Sequence, residues 1–380
     1  MVLTGPRRLE PRELPIPELD DDSALLRVEA CGICGSDYEQ FEGVLRTPVP
    51  VIPGHEPVGR IEAIGDRAAR RLGVDVGDRV AVENVISCRL CPACLAGQYT
   101  LCRSRRIYSF IPLEVGHGLW GAYAEYMVLD GNSVLHKIDP SIPAELATLF
   151  NPLGAGFRWA VELPNTRPGE TVLILGPGQR GLASVIACRE AGAGAILVSG
   201  LSADARKLAL AREFGAHHTI DVEREDLRRR VRELTNGRGA DVVVDVTSYA
   251  TAPVAQALDL AAPGGRVILA GTKGFKPIPD FVSDKLVLKE ITVRGAIGVT
   301  ASGYQSAIRL IESSLRGPPN PGPGAPPSPP QGGAGRERVP LARMHTHEFG
   351  LRDAELAIRT LAREIEGEES IHSCLVPGRD

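Results

Sequence analysis

The sequence predicts an α/β protein in two parts, an irregular β-barrel and a doubly wound parallel sheet, and three observations carry that expectation. A chain of 380 residues is too long for one ordinary domain and suits two. Before about residue 155 it breaks into short apolar runs stopped by Gly or Pro, as in a barrel of short strands. Beyond that point apolar strands alternate with helical stretches, as a parallel sheet with crossover helices requires.

In the first part, residues 24–28 alternate, 49–52 run into Pro53-Gly54, and 58–64 stop at Gly65. Val76-Gly77-Asp78-Arg79-Val80 then reads as a turn entering another strand. In the second part, strands are expected at Thr171–Leu175, 195–198, 241–246 and 266–270, with helices at 182–191 and 203–214. Residues 317–335 hold eight prolines and six glycines, so they are expected to form a flexible surface insertion without a core. A helical return at 349–365 and a last strand near 372–376 follow. The expected domains are a barrel part at 1–154, a dinucleotide-binding part at 155–296, and a return to the barrel at 297–380. Arg228-Arg229-Arg230 falls in a helical pattern and reads as a solvated face.

A net charge of −4 argues against a general nucleic-acid binder, which needs a basic face. No run of 18 apolar residues is present, so no membrane-spanning helix is expected. Prolines and charges follow Met1 without an apolar signal core, so a cytoplasmic, reducing location is expected. The eight cysteines therefore read as thiols or metal ligands before disulfides.

Cys88-x2-Cys91-x2-Cys94-x7-Cys102 brings four sulfurs close enough for tetrahedral Zn2+, with Pro92 and Gly97 supplying turns. Reduced free thiols and an iron–sulfur cluster are the alternatives, although cluster spacings differ. Four protein sulfurs close the coordination sphere, which makes this site structural. Cys31-Gly32-Ile33-Cys34-Gly35-Ser36-Asp37 and Gly54-His55-Glu56 supply a thiolate, an imidazole and carboxylates for a second candidate metal site. Gly176-Pro177-Gly178-Gln179-Arg180-Gly181 follows a strand and opens a helix, the setting in which a glycine turn receives a dinucleotide pyrophosphate. Gly176 permits the turn, Gly178 admits the phosphates and Gly181 packs helix on strand.

These four motifs, in this order, resemble the zinc-dependent medium-chain alcohol dehydrogenases, in particular the sorbitol, threonine and polyol dehydrogenase branch. The resemblance runs from about residue 20 to 376, interrupted by the Pro/Gly segment. It implies a GroES-like catalytic barrel, a Rossmann domain, one structural and one catalytic zinc, and NAD or NADP. It also implies an alcohol or ketone substrate and a homodimer or homotetramer. Cys34 and His55 match catalytic zinc ligands, and Glu56 matches a carboxylate that can approach the metal. Asp37 matches a group that orients the ligand histidine, and Ser36 a hydroxyl that relays the substrate proton. Cys31 has no counterpart and reads as a small buried residue.

Two positions depart from the pattern. Asn151 stands where the branch carries a glutamate ligand, so Glu56 becomes the third ligand, or the metal is weaker, or it is lost. Glu39 stands where many members carry a histidine that passes the proton outward. At the end of the second strand Gly200 is a candidate cofactor-binding residue, no acid appears, and Arg206 and Lys207 could meet a 2′-phosphate, which leans the reading toward NADP, while Asp204 keeps NAD open. Tyr108, Phe110 and Trp120 are expected near the substrate, and His117 at the surface or in packing. The leading function is hydride transfer between a secondary alcohol or polyol, or the matching ketone, and a nicotinamide cofactor. A zinc-free reductase of the same superfamily and a non-catalytic nucleotide- or partner-binding protein are the alternatives.

Overall fold

The computed structural model of the chain describes residues 1–315 and 338–379, so the Pro/Gly segment 317–335 lies outside the described residues. The chain forms two compact units. One comprises Met1–Asn151, Val299–Glu312 and Met344–Asp380; the other comprises Pro152–Gly298 with the described part of Ser313–Arg343.

The first unit is built on a seven-stranded sheet. Its order is His345–Phe349, His372–Leu375, Ala24–Ile33, Pro57–Ile64, Arg79–Val82 and Leu135–Lys137, with Tyr126–Leu129 also paired to Ala24–Ile33. All pairs are antiparallel except the first. The ten-residue strand Ala24–Ile33 organises the unit, and irregularities at Leu25/Leu26 and Val28/Ala30 bend it. Leu26, Ile33, Ile61, Val80 and Met127 are buried in one apolar core. Gly59 is required where the two central strands meet, since a Cβ would lie 2.2 Å from the Arg27 carbonyl oxygen.

Two expected elements differ. The strand at 49–52 reduces to one bridge, Leu3 to Val51, because Pro50 and Pro53 flank it and offer no ladder N–H. The helix at 349–365 shrinks to Ala354–Leu361, preceded by a 3-10 turn at Leu351–Asp353. Its first residue instead ends the strand His345–Phe349, which pairs with His372–Leu375, and extended Gly350 separates strand from turn.

The second unit has six parallel strands in the order His218–Asp221, Ala195–Gly200, Thr171–Leu175, Ala240–Asp245, Ala261–Leu269, Thr292–Gly295. The expected doubly wound sheet is present. The order reverses beside Thr171–Leu175, which opens a crevice at the carboxyl ends of the strands for a ligand. Val172 to Leu175 are all buried, as a strand covered on both faces demands. Helices Gln179–Glu190, Ala205–Glu213, Leu227–Leu234 and Ala252–Leu260 make the crossovers. In Leu227–Leu234 the side chains of Leu227 and Val231 are buried, and Asp226 caps the helix by accepting from the Arg229 amide at 2.7 Å.

Candidate metal and nucleotide sites

Cys34, His55 and Glu56 are brought together in the first unit. One ligand atom from each lies within 4.8 Å of the others, and all three residues are buried. Cys34 directly follows the central strand and caps the helix Gly35–Phe41, while Gly54, in left-handed backbone at φ 91°, turns His55 and Glu56 back toward it. Cys34 Sγ is 3.4 Å from His55 Nε2. Ser36 Oγ sits between them, 2.9 Å from the sulfur and 3.2 Å from Nε2. Asp37 is also buried; its Oδ2 accepts the Cys34 amide at 2.9 Å and its Oδ1 is 3.3 Å from His55 Nδ1. Burial opposes protonation of His55, but the neighbouring Asp37 carboxylate and Cys34 thiolate prevail and hold its pKa well above the ordinary value. The site therefore concentrates negative charge that a cation would neutralise.

Gly32 is a residue that motif reading passes over. A Cβ there would stand 2.7 Å from Glu56 Oε2, so only glycine leaves the carboxylate its place. Asn151 is buried at the start of helix Phe150–Phe157, and its Nδ2 lies 3.4 Å from the Tyr304 hydroxyl. Tyr304, far along the chain, carried no sequence signal linking it to Asn151. Glu39 lies on the helix Gly35–Phe41 but outside the ligand cluster. Cys31 is fully buried in the core, as expected of a small packing residue.

The four-cysteine loop also closes on itself. Cys91 and Cys94 sulfurs are 3.5 Å apart, as are those of Cys88 and Cys102, and Cys88 is 4.0 Å from Cys94. Pro92 starts the short helix Pro92–Leu95 and Gly97 takes φ 74°, the two turns expected. The Cys94 amide lowers the Cys91 thiol to about 6 by donating to its sulfur, whereas desolvation pushes Cys94 up to about 11. Backbone amides that stabilise thiolate suit sulfurs that bind a metal.

In the second unit Gly176 leaves the first strand at φ 102°, and Gly178 precedes helix Gln179–Glu190. A Cβ on Gly181 would fall 1.9 Å from the Gly176 carbonyl oxygen, whereas one on Gly178 would meet nothing within 4 Å. Gly181 is thus a packing glycine and Gly178 an open one, at the helix end whose free N–H groups favour phosphate. Gln179 and Arg180 form the first turn of that helix, and Arg180 lies over the Trp159 ring at 5.7 Å. Gly200 ends the second strand, with a Cβ position 2.8 Å from Pro177. Asp204 Oδ2 accepts the Leu201 amide at 3.1 Å, turned back on its own loop, and Arg206 is exposed on the next helix. Beside the glycine turn, Asp245 is buried, 2.9 Å from Lys273 Nζ, and accepts the Thr247 amide at 2.9 Å. The acid that ends its strand, after three valines, was the signal available for this support.

The expected substrate aromatics divide. Tyr108 and Trp120 are buried in the core of the first unit, and the Tyr108 hydroxyl is 2.5 Å from Ser133 Oγ, so both are packing residues. Phe110 alone reaches the cluster, its ring 6.4 Å from that of His55. His117 packs on Trp120 and lies 3.2 Å from Ser23 Oγ, as a packing role requires. No helix among the described residues is long and apolar enough to cross a membrane.

Residues 20–140 match the alcohol dehydrogenase GroES-like domain and residues 181–313 match the zinc-binding dehydrogenase domain. The chain is 44% identical over 382 residues to a "Probable alcohol dehydrogenase" of Mycobacterium tuberculosis, covering 99% of this chain and 98% of the relative. It is 32% identical over 390 residues to the erythritol/L-threitol dehydrogenase of Mycolicibacterium smegmatis, covering 99% and 97%. Among solved structures, a protein of Sinorhizobium meliloti assigned as a zinc-binding dehydrogenase and bound to NADP superposes with TM-score 0.81 at 26% identity, covering 99% and 98%. Both domain matches, full-length likeness to dehydrogenases and the clustered Cys, His and Glu side chains agree: the chain is an enzyme of the zinc-dependent medium-chain alcohol dehydrogenase family.

Proposed function

We propose that the chain transfers a hydride between a secondary alcohol or polyol, or the matching ketone, and a nicotinamide cofactor. Zinc would be held by Cys34, His55 and Glu56, and a second, structural zinc by Cys88, Cys91, Cys94 and Cys102. The observation that carries this reading is the buried cluster of one thiol, one imidazole and one carboxylate within 4.8 Å, a donor set suited to zinc. Asn151, a neutral amide held near Tyr304, supplies no charge; Glu56 takes the third ligand position in its stead.

When bound, zinc acidifies a hydroxyl or polarises a carbonyl, and the nicotinamide takes up or delivers the hydride. The chain's own residues prepare that event. Ser36 Oγ, 2.9 Å from Cys34 Sγ, is placed to accept the substrate hydroxyl proton and pass it outward. Asp37 orients His55 through Nδ1, which leaves Nε2 to the metal. Gly178 admits the pyrophosphate. The absence of an acid at the end of the second strand, with Asp204 folded onto Leu201, favours NADP over NAD. The similarity to an erythritol/L-threitol dehydrogenase supports a polyol or a related secondary alcohol as substrate.

Elemental mass spectrometry on protein purified without chelator tests the metal assignment. Two zinc ions per chain are expected in the wild type and in Asn151→Ala, and one in Cys34→Ser and Glu56→Gln. A wild type with one zinc, retained in Cys34→Ser, overturns the catalytic site and leaves the zinc-free reductase or the binding protein.

A further inference from the structure

Arg228, Arg232, Arg238 and Lys289 line one concavity of about 250 Å3 in the second unit, with Asp259 as the sole carboxylate on its wall. Val231 and Leu260 give it an apolar floor. It lies where helix Leu227–Leu234 ends, at the amino ends of strands Ala240–Asp245 and Ala261–Leu269. The glycine turn is at the opposite, carboxyl edge of the same parallel sheet, roughly 16 Å away along a five-residue strand.

The charges there are unbalanced. Asp259 is already shared between Arg228 and Lys285, the latter at 2.6 Å. Arg238 is 2.8 Å from Asp241. Arg232 has no acidic partner among the described residues. Lys289 Nζ donates to the carbonyls of Leu258, Asp259 and Ala261, each at 3.0 Å, which fixes its charge in place. Burial lowers the Lys289 pKa; Asp259 opposes this, and Lys285, Arg232 and Arg228 add to the lowering. Gly237, at φ 81°, leaves the rim open, since a Cβ there would meet nothing within 4 Å.

We infer that this concavity, lined by Arg228, Arg232, Arg238 and Lys289, binds a small phosphoryl-bearing anion, separate from the dinucleotide site. Guanidinium forks match phosphate oxygens in pairs, and a multivalent anion offsets the positive charge that Asp259 and Asp241 leave over. The volume admits a phosphate group with a few carbons attached.

Isothermal titration calorimetry on the full chain saturated with NADPH, at constant ionic strength, is the test, with inorganic phosphate and glycerol 3-phosphate as probes. One saturable site per chain is expected. Arg232→Gln and Arg238→Gln should each weaken it at least about tenfold without shifting the unfolding midpoint, because each removes a charged donor. Tighter binding of the ester points to an organic phosphate as the source, and equal binding to phosphate itself. No saturable heat from either probe, or binding indifferent to both substitutions, overturns the inference. Binding seen only without NADPH also overturns it, by placing the anion at the glycine turn.

Discussion

One carboxylate, that of Asp37, fixes two candidate zinc ligands: it accepts the Cys34 amide and faces His55 Nδ1. Asp37→Asn keeps the shape but gives one of those positions a donor. Zinc affinity of the Cys34 site, read by chelator competition, should fall about 10–100-fold; an unchanged affinity removes Asp37 from the support of the site. The two glycines of the nucleotide turn make opposite predictions. Gly181→Ala drives a methyl into the Gly176 carbonyl and should cost about 1–3 kcal/mol or more in urea unfolding. Gly178→Ala should stay within about 0.5 kcal/mol of wild type, yet raise the cofactor KM, because its methyl enters the space left for phosphate. Equal stability losses with unchanged KM would refute that division of roles. Both glycines are visible in the sequence as one motif. The motif assigns Gly181 to packing and Gly178 to the phosphates, and the fold adds how little room the first has and how much the second.

At the scale of elements, the paired strands His345–Phe349 and His372–Leu375 carry a pH dependence. His345 Nδ1 is 2.9 Å from His372 Nδ1, so one ring donates and the other accepts, and its Nε2 lies 3.4 Å from Glu348 Oε1. Burial lowers the His345 pKa to about 4; Glu145 opposes this, and His347 and Arg379 add to it. An unfolded histidine titrates near 6.5. Between these values the unfolded chain binds a proton that the folded chain refuses, so stability falls as pH drops from about 6.5 to about 4. A loss of about 1–3 kcal/mol from this group is expected, and His345→Gln should flatten that limb of the unfolding curve. An identical acid limb in both proteins would assign the loss elsewhere. The pairing itself was hidden in the sequence, because a parallel pair separated by a helix leaves no turn signature. The residues of His345–Phe349 are all half-buried, so they lack the strict alternation that marks a strand.

Among the described residues, the apolar cores include one around Leu26, Ile33, Ile61 and Met127 and one around Leu173, Leu175, Val243 and Val267. The candidate metal-ligand clusters belong to the first unit and the glycine turn to the second. Scanning calorimetry should therefore show NADP+ raising the unfolding of the second unit, by mass action on its folded form, and chelation lowering that of the first. A single transition moved equally by both additions would mean that the units unfold as one. By itself the sequence determined the α/β class, the six-cysteine grouping and the glycine turn, and through family resemblance it pointed to Cys34 and His55 as candidate ligands. Each is carried by residues that stand close together in the chain. Tertiary structure decided what depends on residues far apart: Gly32 making room for Glu56, Tyr304 meeting Asn151, Tyr108 and Trp120 withdrawn into the core, and four cations from three segments sharing one concavity. Burial and close approach are properties of the packed chain, and no periodicity encodes which distant side chains will share a space.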